Sequence, residues 1–247
     1  NYVRQSRNAS TVTGNTGPVW QFWDQSEDLA PPVVRNCLRS VERNLDGRAR
    51  ILLNAKTVAN HVDFSGAVMD RLDFWGWTKF SNLLRLKLLE NHGGTWVDAT
   101  VFFARAIPDQ IAERDFFAFQ WDHDPRIVAT WFMHSRAHSP LLTAISAAYE
   151  EYWLNAKVPG DYFMFHHIFE ALVISDARLA ALWRRMPKMP AAVPHELQWM
   201  LHLPFDETAF RSTLDRSWIQ KLTYKLDETV AGDTASFLGY LRRPALI

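Results

Sequence analysis

The sequence predicts an α/β fold with a mostly parallel central sheet flanked by helices and a helical C-terminal part. Three observations carry that expectation. Apolar runs of strand length alternate with stretches whose apolar residues recur at helical spacing, the order that builds parallel sheets. One helix, over about residues 79–91, is apolar nearly all round and calls for burial on most sides. The 247 residues, 48% of them hydrophobic, suffice for a core without disulfide staples.

The polar stretch 1–17, "NYVRQSRNASTVTGNTG", reads as a flexible leader, and residues 18–247 read as one domain. With Asn rather than Met at position 1 and a polar leader, the chain is expected to be either trimmed or a domain excised from something longer. After Gly17-Pro18, "VWQFW" is a first buried strand. "APPVVRNCLRSVERN" opens on prolines and spaces Val34, Cys37, Leu38 and Val41 as a helix does. "ARILLN" is a second strand, and residues 55–73 are short helix and loop. The apolar helix comes next, stopped by Gly93-Gly94, then the strand "TWVDATVFF". "DFFAFQW" and "IVATWFMHS" are two further strands around the turn "DHDP". Ser139-Pro140 opens a helix through about Leu154, with Ser as its cap. Helices cover about 161–174 and 177–185. Residues 186–206, with four prolines, form a long loop or lid with a short helix. A helix near 207–214, the strand "WIQKLTYKL" and a C-terminal helix complete the order.

Composition excludes several classes. Lys+Arg equals Asp+Glu at 27 each, so the overall charge points to neither nucleic acid nor an anionic membrane, and any phosphate site must be local. Cys37 is the only cysteine, which rules out an internal disulfide and fits a reducing cytoplasm. No run approaches the roughly 18 to 20 apolar residues of a spanning helix, so any membrane contact is peripheral, at the cytoplasmic face. Asn8-Ala9-Ser10 fits a glycosylation triplet that a cytoplasmic chain would not use. The 11 Trp and 16 Phe supply stacking surfaces as well as core.

The chemistry concentrates in residues 80–103. Asn82 and Arg85, three apart, share one narrow wedge of the apolar helix. A guanidinium there needs an anion, because an isolated buried charge costs several kcal/mol. On one continuous strand, Trp96, Asp98 and Thr100 would face the same way. Two readings stand side by side: a structural Arg85–Asp98 ion pair beneath a glycine cap, or a carboxylate and a hydroxyl that hold a cation or sugar hydroxyls at the carboxyl end of a strand. The glycines permit a tight return and a close approach of backbone to a ligand.

"SNLLRLKLLENHGGTWVDATV" resembles the Ser-Asp-x-x-Arg … Gly-Gly-x-x-x-Asp-x-Asp segment of family 32 glycosyltransferases with a DXD sugar-binding region. It is closer still to the capsular polysaccharide synthesis protein family, whose members carry Trp, an apolar residue, Asp, a small residue and Thr at this point. "PVWQFWDQ", "DYFMFHH" and "IQKLTYK" match other blocks of that family in order, over residues 18–226. The resemblance implies a GT-A-like fold and a hexosyltransferase-like enzyme. Such an enzyme moves a sugar from a nucleotide donor, a UDP-sugar among the candidates, to a saccharide or lipid-linked saccharide acceptor, with retention of configuration.

Carried over residue by residue, the resemblance has Trp23 stack on the nucleobase and Asn82 and Arg85 contact the donor sugar. Asp98 would bind sugar or ribose and help place a divalent cation, Mn2+ or Mg2+. Lys221 and Lys225 would neutralise the diphosphate, with Gln21, Ser81 and Thr100 completing the donor set. The catalytic candidates are Asp98, Arg85 and Asp161. Two positions depart from family 32. Asn82 stands where that family has Asp, and Thr100 stands where the second Asp ligates metal, although the capsular relatives share the Thr. These departures keep open a second reading, a nucleotide-sugar-binding or scaffolding module with weakened turnover.

Other signals are local. Asp122-His123-Asp124 could ligate a metal or simply make a turn before Pro125. His166-His167 reads as packing or a surface pair, since adjacent helical residues diverge by about 100°. Asp161, after Pro159-Gly160, is either a helix cap or an acceptor-facing base. His134, Arg136 and His138 follow a strand and read as solvated loop or a phosphate site.

Overall fold

The computed structural model describes residues 17–122, 127–158, 160–226 and 234–243. The leader up to position 16, His123 and Asp124 lie outside those residues. Strands β1 (Val19–Phe22), β2 (Arg50–Leu53), β3 (Gly94–Val97), β5 (Phe116–Ala118) and β6 (Phe132–Ser135) form one sheet in the order β2-β1-β3-β6-β5. β1 runs parallel to β2 and β3, whereas β6 is antiparallel to β3 and β5. Four strands therefore share a direction and β6 alone opposes them.

Helices α1 (Pro32–Arg43), α2 (Gly66–Met69) and α3 (Leu72–His92) alternate with the first three strands. α1 starts with prolines in its first turn, where the missing N–H costs nothing. α3 is broken at Gly76, whose φ of 74° and ψ of 161° leave the helical region. Its regular part therefore starts beside the predicted boundary. Phe80, Leu83, Leu84, Leu86, Leu88 and Leu89 are fully buried there, as the all-round apolar pattern requires.

α4 (Asp109–Ala112), α5 (Pro140–Asn155), α6 (Met164–Ser175) and α7 (Ala177–Arg185) follow. Ser139 occupies the cap position of α5 but its side chain makes no capping bond. The stretch 186–206 contains a 3-10 turn at Val193–His195 and the short α8 (Glu196–Trp199). α9 (Glu207–Arg216) and α10 (Phe237–Leu241) end the described chain. The apolar residues form two clusters. One joins the sheet to α3 and α5, and the other joins α1 to α8, α9 and α10.

One expected strand is broken. "TWVDATVFF" leaves the main sheet after Val97, turns at Asp98, and resumes as β4 (Val101–Phe103), which pairs antiparallel with β7 (Ile219–Lys221). The Val101 N–H donates to Asp98 O at 3.0 Å and closes the turn. Strand alternation thus does not set where Asp98 and Thr100 point. The physical reason is a change of partner: β3 pairs with β6 as far as Val97, and beyond it Val101 faces Lys221.

Gly93 and Gly94 do allow the tight return, with φ of 66° and 99°. The close approach they permit is to protein backbone, at Ala137 for Gly93 and Pro18 for Gly94. The expectation that they admit a ligand is corrected, because they sit at the opposite end of β3 from Asp98.

Candidate active site

The carboxyl ends of the parallel neighbours β1 and β3 open onto a cleft of about 670 Å³. This is where the polarity of an open sheet places ligands. β1 delivers Phe22 and Trp23, the regular part of α3 delivers Ser81, Asn82 and Arg85, and the turn after β3 delivers Asp98 and Thr100. The end of β7 and the segment after it add Lys221, Thr223, Tyr224 and Lys225.

Arg85 sits at the base of this wall, with a side chain 5% exposed. Its Nε donates to Ser81 O at 3.0 Å, one terminal nitrogen to Thr130 O, and the other to Ser81 Oγ at 3.2 Å. That second nitrogen lies 3.4 Å from Asp98 Oδ1, and the guanidinium covers the Trp96 ring at 4.8 Å. Burial lowers the guanidinium pKa, and Asp98 opposes that shift. Asp98 Oδ1 also accepts from Trp96 Nε1 at 2.9 Å. Arg85 and Asp98 thus form the ion pair of the first reading, and the pair borders the cleft.

Asn82 Nδ2 donates to Tyr149 OH at 3.3 Å, and burial pushes the Tyr149 phenol up to about 12. Tyr149 is thus a neutral post for the Asn82 amide. Trp23 packs edge-to-face on Tyr224 at 5.4 Å. Lys225 is exposed, with its Nζ 6.0 Å from the Tyr224 ring. Lys221 Nζ donates to Thr100 Oγ1 at 2.6 Å and to Leu222 O at 2.9 Å. Burial lowers its pKa while Asp98 raises it.

A side cavity of about 260 Å³ adjoins the cleft. Asp98, Thr130, Tyr162, His166, Lys221 and Thr223 border both spaces. The side cavity adds Trp121, Trp131, Phe163, His195 and Gln198. His195 stands 4.9 Å from the Trp121 ring and 5.5 Å from Trp131, which makes one aromatic wall.

Trp23, Ser81, Asn82, Arg85, Asp98, Thr100, Lys221 and Lys225 all line the cleft, as the sequence reading grouped them. Gln21 and Asp161 do not. Gln21 is fully buried within β1 and its Oε1 accepts from Arg50 Nε at 2.9 Å, one position short of Phe22 and Trp23, which reach the cleft from the end of the strand. Asp161 Oδ1 accepts from the Phe163 N–H at 2.8 Å and its other oxygen faces His167 at 3.5 Å. That backbone bond, then His167, lowers its pKa. Asp161 is a turn residue ahead of α6.

The neighbours Tyr162 and His166 reach the site instead, and residue-by-residue reading missed them. The signal was the "DYFMFHH" block, but which of its side chains faces inward depends on how α6 is rotated. His134 is buried in β6, where its Nδ1 meets Thr95 Oγ1 at 2.9 Å; Arg136 is paired with Asp115 at 3.2 Å. Neither borders the cleft, nor does the exposed His138.

A model of the family described as "Capsular polysaccharide synthesis protein" matches residues 2–241. The chain belongs to that family. No curated protein matches it significantly. A solved structure titled "PaToxG Glycosyltransferase" is similar over 68% of this chain and 73% of that one, at 10% identity and a TM-score of 0.46. Among the described residues, no helix of this family member is long and apolar enough to cross a membrane.

The donor set offers little to a divalent cation. Such ions take carboxylate, carbonyl and water oxygens in number. Here one motif position is a carboxylate already facing Arg85, and the other is a hydroxyl that accepts from an ammonium. Among the described residues no three His, Cys, Asp or Glu side chains cluster as metal ligands would. The two motif positions thus supply one carboxylate and one engaged hydroxyl, and a cation there would draw most of its ligands from donor phosphates and water.

Proposed function

We propose that this protein is a glycosyltransferase with a GT-A-like domain. It takes a sugar from a nucleotide donor in the cleft and passes it, with retention of configuration as the resemblance implies, to a saccharide acceptor in capsular or surface polysaccharide synthesis. One observation carries the reading: eight side chains from four separate stretches of sequence converge on a single cleft at the carboxyl ends of β1 and β3. A structural ion pair alone would require no such gathering.

In this reading the nucleobase lies against Trp23 and Tyr224, whose rings form one corner of the cleft. The donor sugar meets Asn82, Arg85 and Asp98. The Asn82 amide and the Asp98 carboxylate hold sugar hydroxyls, and Arg85 fixes Asp98 in place. Breaking the bond from the anomeric carbon to the diphosphate needs the departing charge stabilised, which Lys221 and Lys225 supply. The positive sugar carbon needs shelter from water, which the Trp77, Trp96 and Tyr162 walls favour.

The acceptor enters through the side cavity, which has room for about one sugar ring. It meets the cleft at Asp98, and its Trp and His faces suit sugar stacking.

The test is a melting-temperature screen against nucleoside diphosphates and nucleotide sugars. Binding to the folded state alone raises stability by mass action. A rise with at least one nucleotide that Trp23→Ala diminishes is the expected result, and no rise with any of them overturns the donor site. The binding-module reading draws on Asn82 and on the engagement of Asp98 by Arg85 and Trp96. It predicts binding without turnover, and detection of sugar transfer or donor hydrolysis removes it.

A further inference from the structure

We propose that Lys221 takes the place of the divalent cation, so that the donor diphosphate is bound and its departure assisted without metal; this rests on the donor-site reading above. The ammonium of Lys221 is partly buried, yet it has no carboxylate within ion-pair distance among the described residues. Two of its three N–H groups are held, by Thr100 Oγ1 at 2.6 Å and Leu222 O at 2.9 Å. The third meets no acceptor among the described residues, and the group borders both the cleft and the side cavity. This covered cation is held by two neutral oxygens, Asp98 beyond ion-pair distance offsets only part of its burial and Arg85 opposes it, so it is under-compensated and favours an anion in the adjoining space.

Thr100 is what makes this arrangement possible. A carboxylate at position 100 would neutralise Lys221 and recruit a metal, whereas a hydroxyl accepts one ammonium N–H and leaves the positive charge facing the cleft. A divalent ion at Asp98 and Thr100 would instead lie between that ammonium and the Arg85 guanidinium, an arrangement like charges disfavour.

In the transfer step, the bond from the anomeric carbon to the diphosphate oxygen breaks with its electron pair on that oxygen. The ammonium of Lys221 stabilises the resulting charge. The acceptor hydroxyl oxygen bonds to the carbon and its proton passes to the diphosphate, so atoms and charge balance.

The experiment is isothermal titration with UDP, GDP, ADP and CDP, each in EDTA and in Mn2+. For the nucleotide that binds, wild-type affinity in EDTA is expected to stay within about threefold of that in Mn2+. Lys221→Met should weaken binding in EDTA by about tenfold or more, the scale of a lost charge-assisted contact. Lys221→Arg should keep most of it. Thr100→Asp combined with Lys221→Met should bind well only when Mn2+ is present.

Binding by the wild type that requires Mn2+ overturns the proposal without any variant. Undiminished EDTA binding by a folded Lys221→Met does so too. Absence of binding by all four nucleotides under both conditions overturns the donor-site reading on which the proposal rests, and is thereby distinguished from failure of the lysine substitution alone.

Discussion

The Arg85 guanidinium lies 3.4 Å from Asp98 Oδ1, with Asp98 28% exposed toward the cleft and Arg85 only 5% exposed behind it. The two members therefore respond differently to truncation. Ser81 and Thr130 accept from Arg85 but carry no charge, so loss of Asp98 leaves the buried guanidinium without an anion, whereas loss of Arg85 leaves Asp98 with Trp96 and solvent. Asp98→Ala strands a buried guanidinium and is expected to cost about 3 kcal/mol of stability, whereas Arg85→Ala leaves a partly solvated carboxylate and costs less on that account, adding the loss of its own packing and hydrogen bonds. Sugar transfer should fall by about a hundredfold or more in Asp98→Ala while circular dichroism stays native. Wild-type turnover in that variant would remove Asp98 from the site.

Trp23 and Tyr224 predict a base-stacking corner. Replacing Trp23 with Ala should weaken nucleotide binding by about 1–3 kcal/mol, the usual worth of one stacked base. Trp23→Phe should recover part of that. Titration calorimetry with the bound nucleoside diphosphate reads both, and equal affinity in all three proteins would show that Trp23 serves packing only.

The side cavity separates acceptor from donor. Gln198→Ala and Trp121→Ala change residues that line the cavity but not the cleft. Steady-state kinetics should show a raised acceptor KM, with nucleotide affinity and slow donor hydrolysis unchanged. A donor-affinity loss in both variants would instead make the two spaces one site.

Burial pushes the His134 imidazole down to about 3, with Arg48 adding to the shift. The folded state thus holds His134 neutral while the unfolded chain protonates it near pH 6.5. Below that pH the unfolded state binds the extra proton, so stability falls as pH drops from about 6.5 toward 3. At pH 5 the loss from this group is about 2 kcal/mol. His134→Gln, even if less stable at pH 7, should show a flatter decline in melting temperature between pH 7 and 5. Parallel curves would contradict the assignment.

Gly94 has φ of 99°, and a methyl group there would collide with Pro18. Gly94→Ala should destabilise the protein by about 2 kcal/mol or more through combined strain and displacement, measured by urea unfolding. An unchanged midpoint would mean that β1 and β3 can separate at little cost.

Much of the architecture was legible because it rests on local rules. The proline-led α1, the Gly93-Gly94 stop and the all-apolar face of α3 follow from backbone preference and periodicity. The pairing of β4 with β7 was not legible, since Val101 and Lys221 are far apart in sequence and nothing near Asp98 signals that its strand changes partner. The same gap hid the contact between Lys221 and Thr100. Gln21 and Asp161 stay outside the cleft for a related reason: a motif places a residue near a site, but the sheet buries Gln21 beside Arg50 and a local turn holds Asp161 on the Phe163 N–H.

By itself, then, the sequence determined the α/β alternation, the wedge that carries Asn82 and Arg85, and the family to which its motifs point. Those follow from side-chain chemistry at fixed spacing along one segment. Only the tertiary structure decided that Arg85 and Asp98 are paired and also open to a cleft, that Tyr162 and His166 belong to its wall, and that an ammonium contacts Thr100. Each of these depends on long-range packing that brings separate elements together, and no local preference encodes their relative placement.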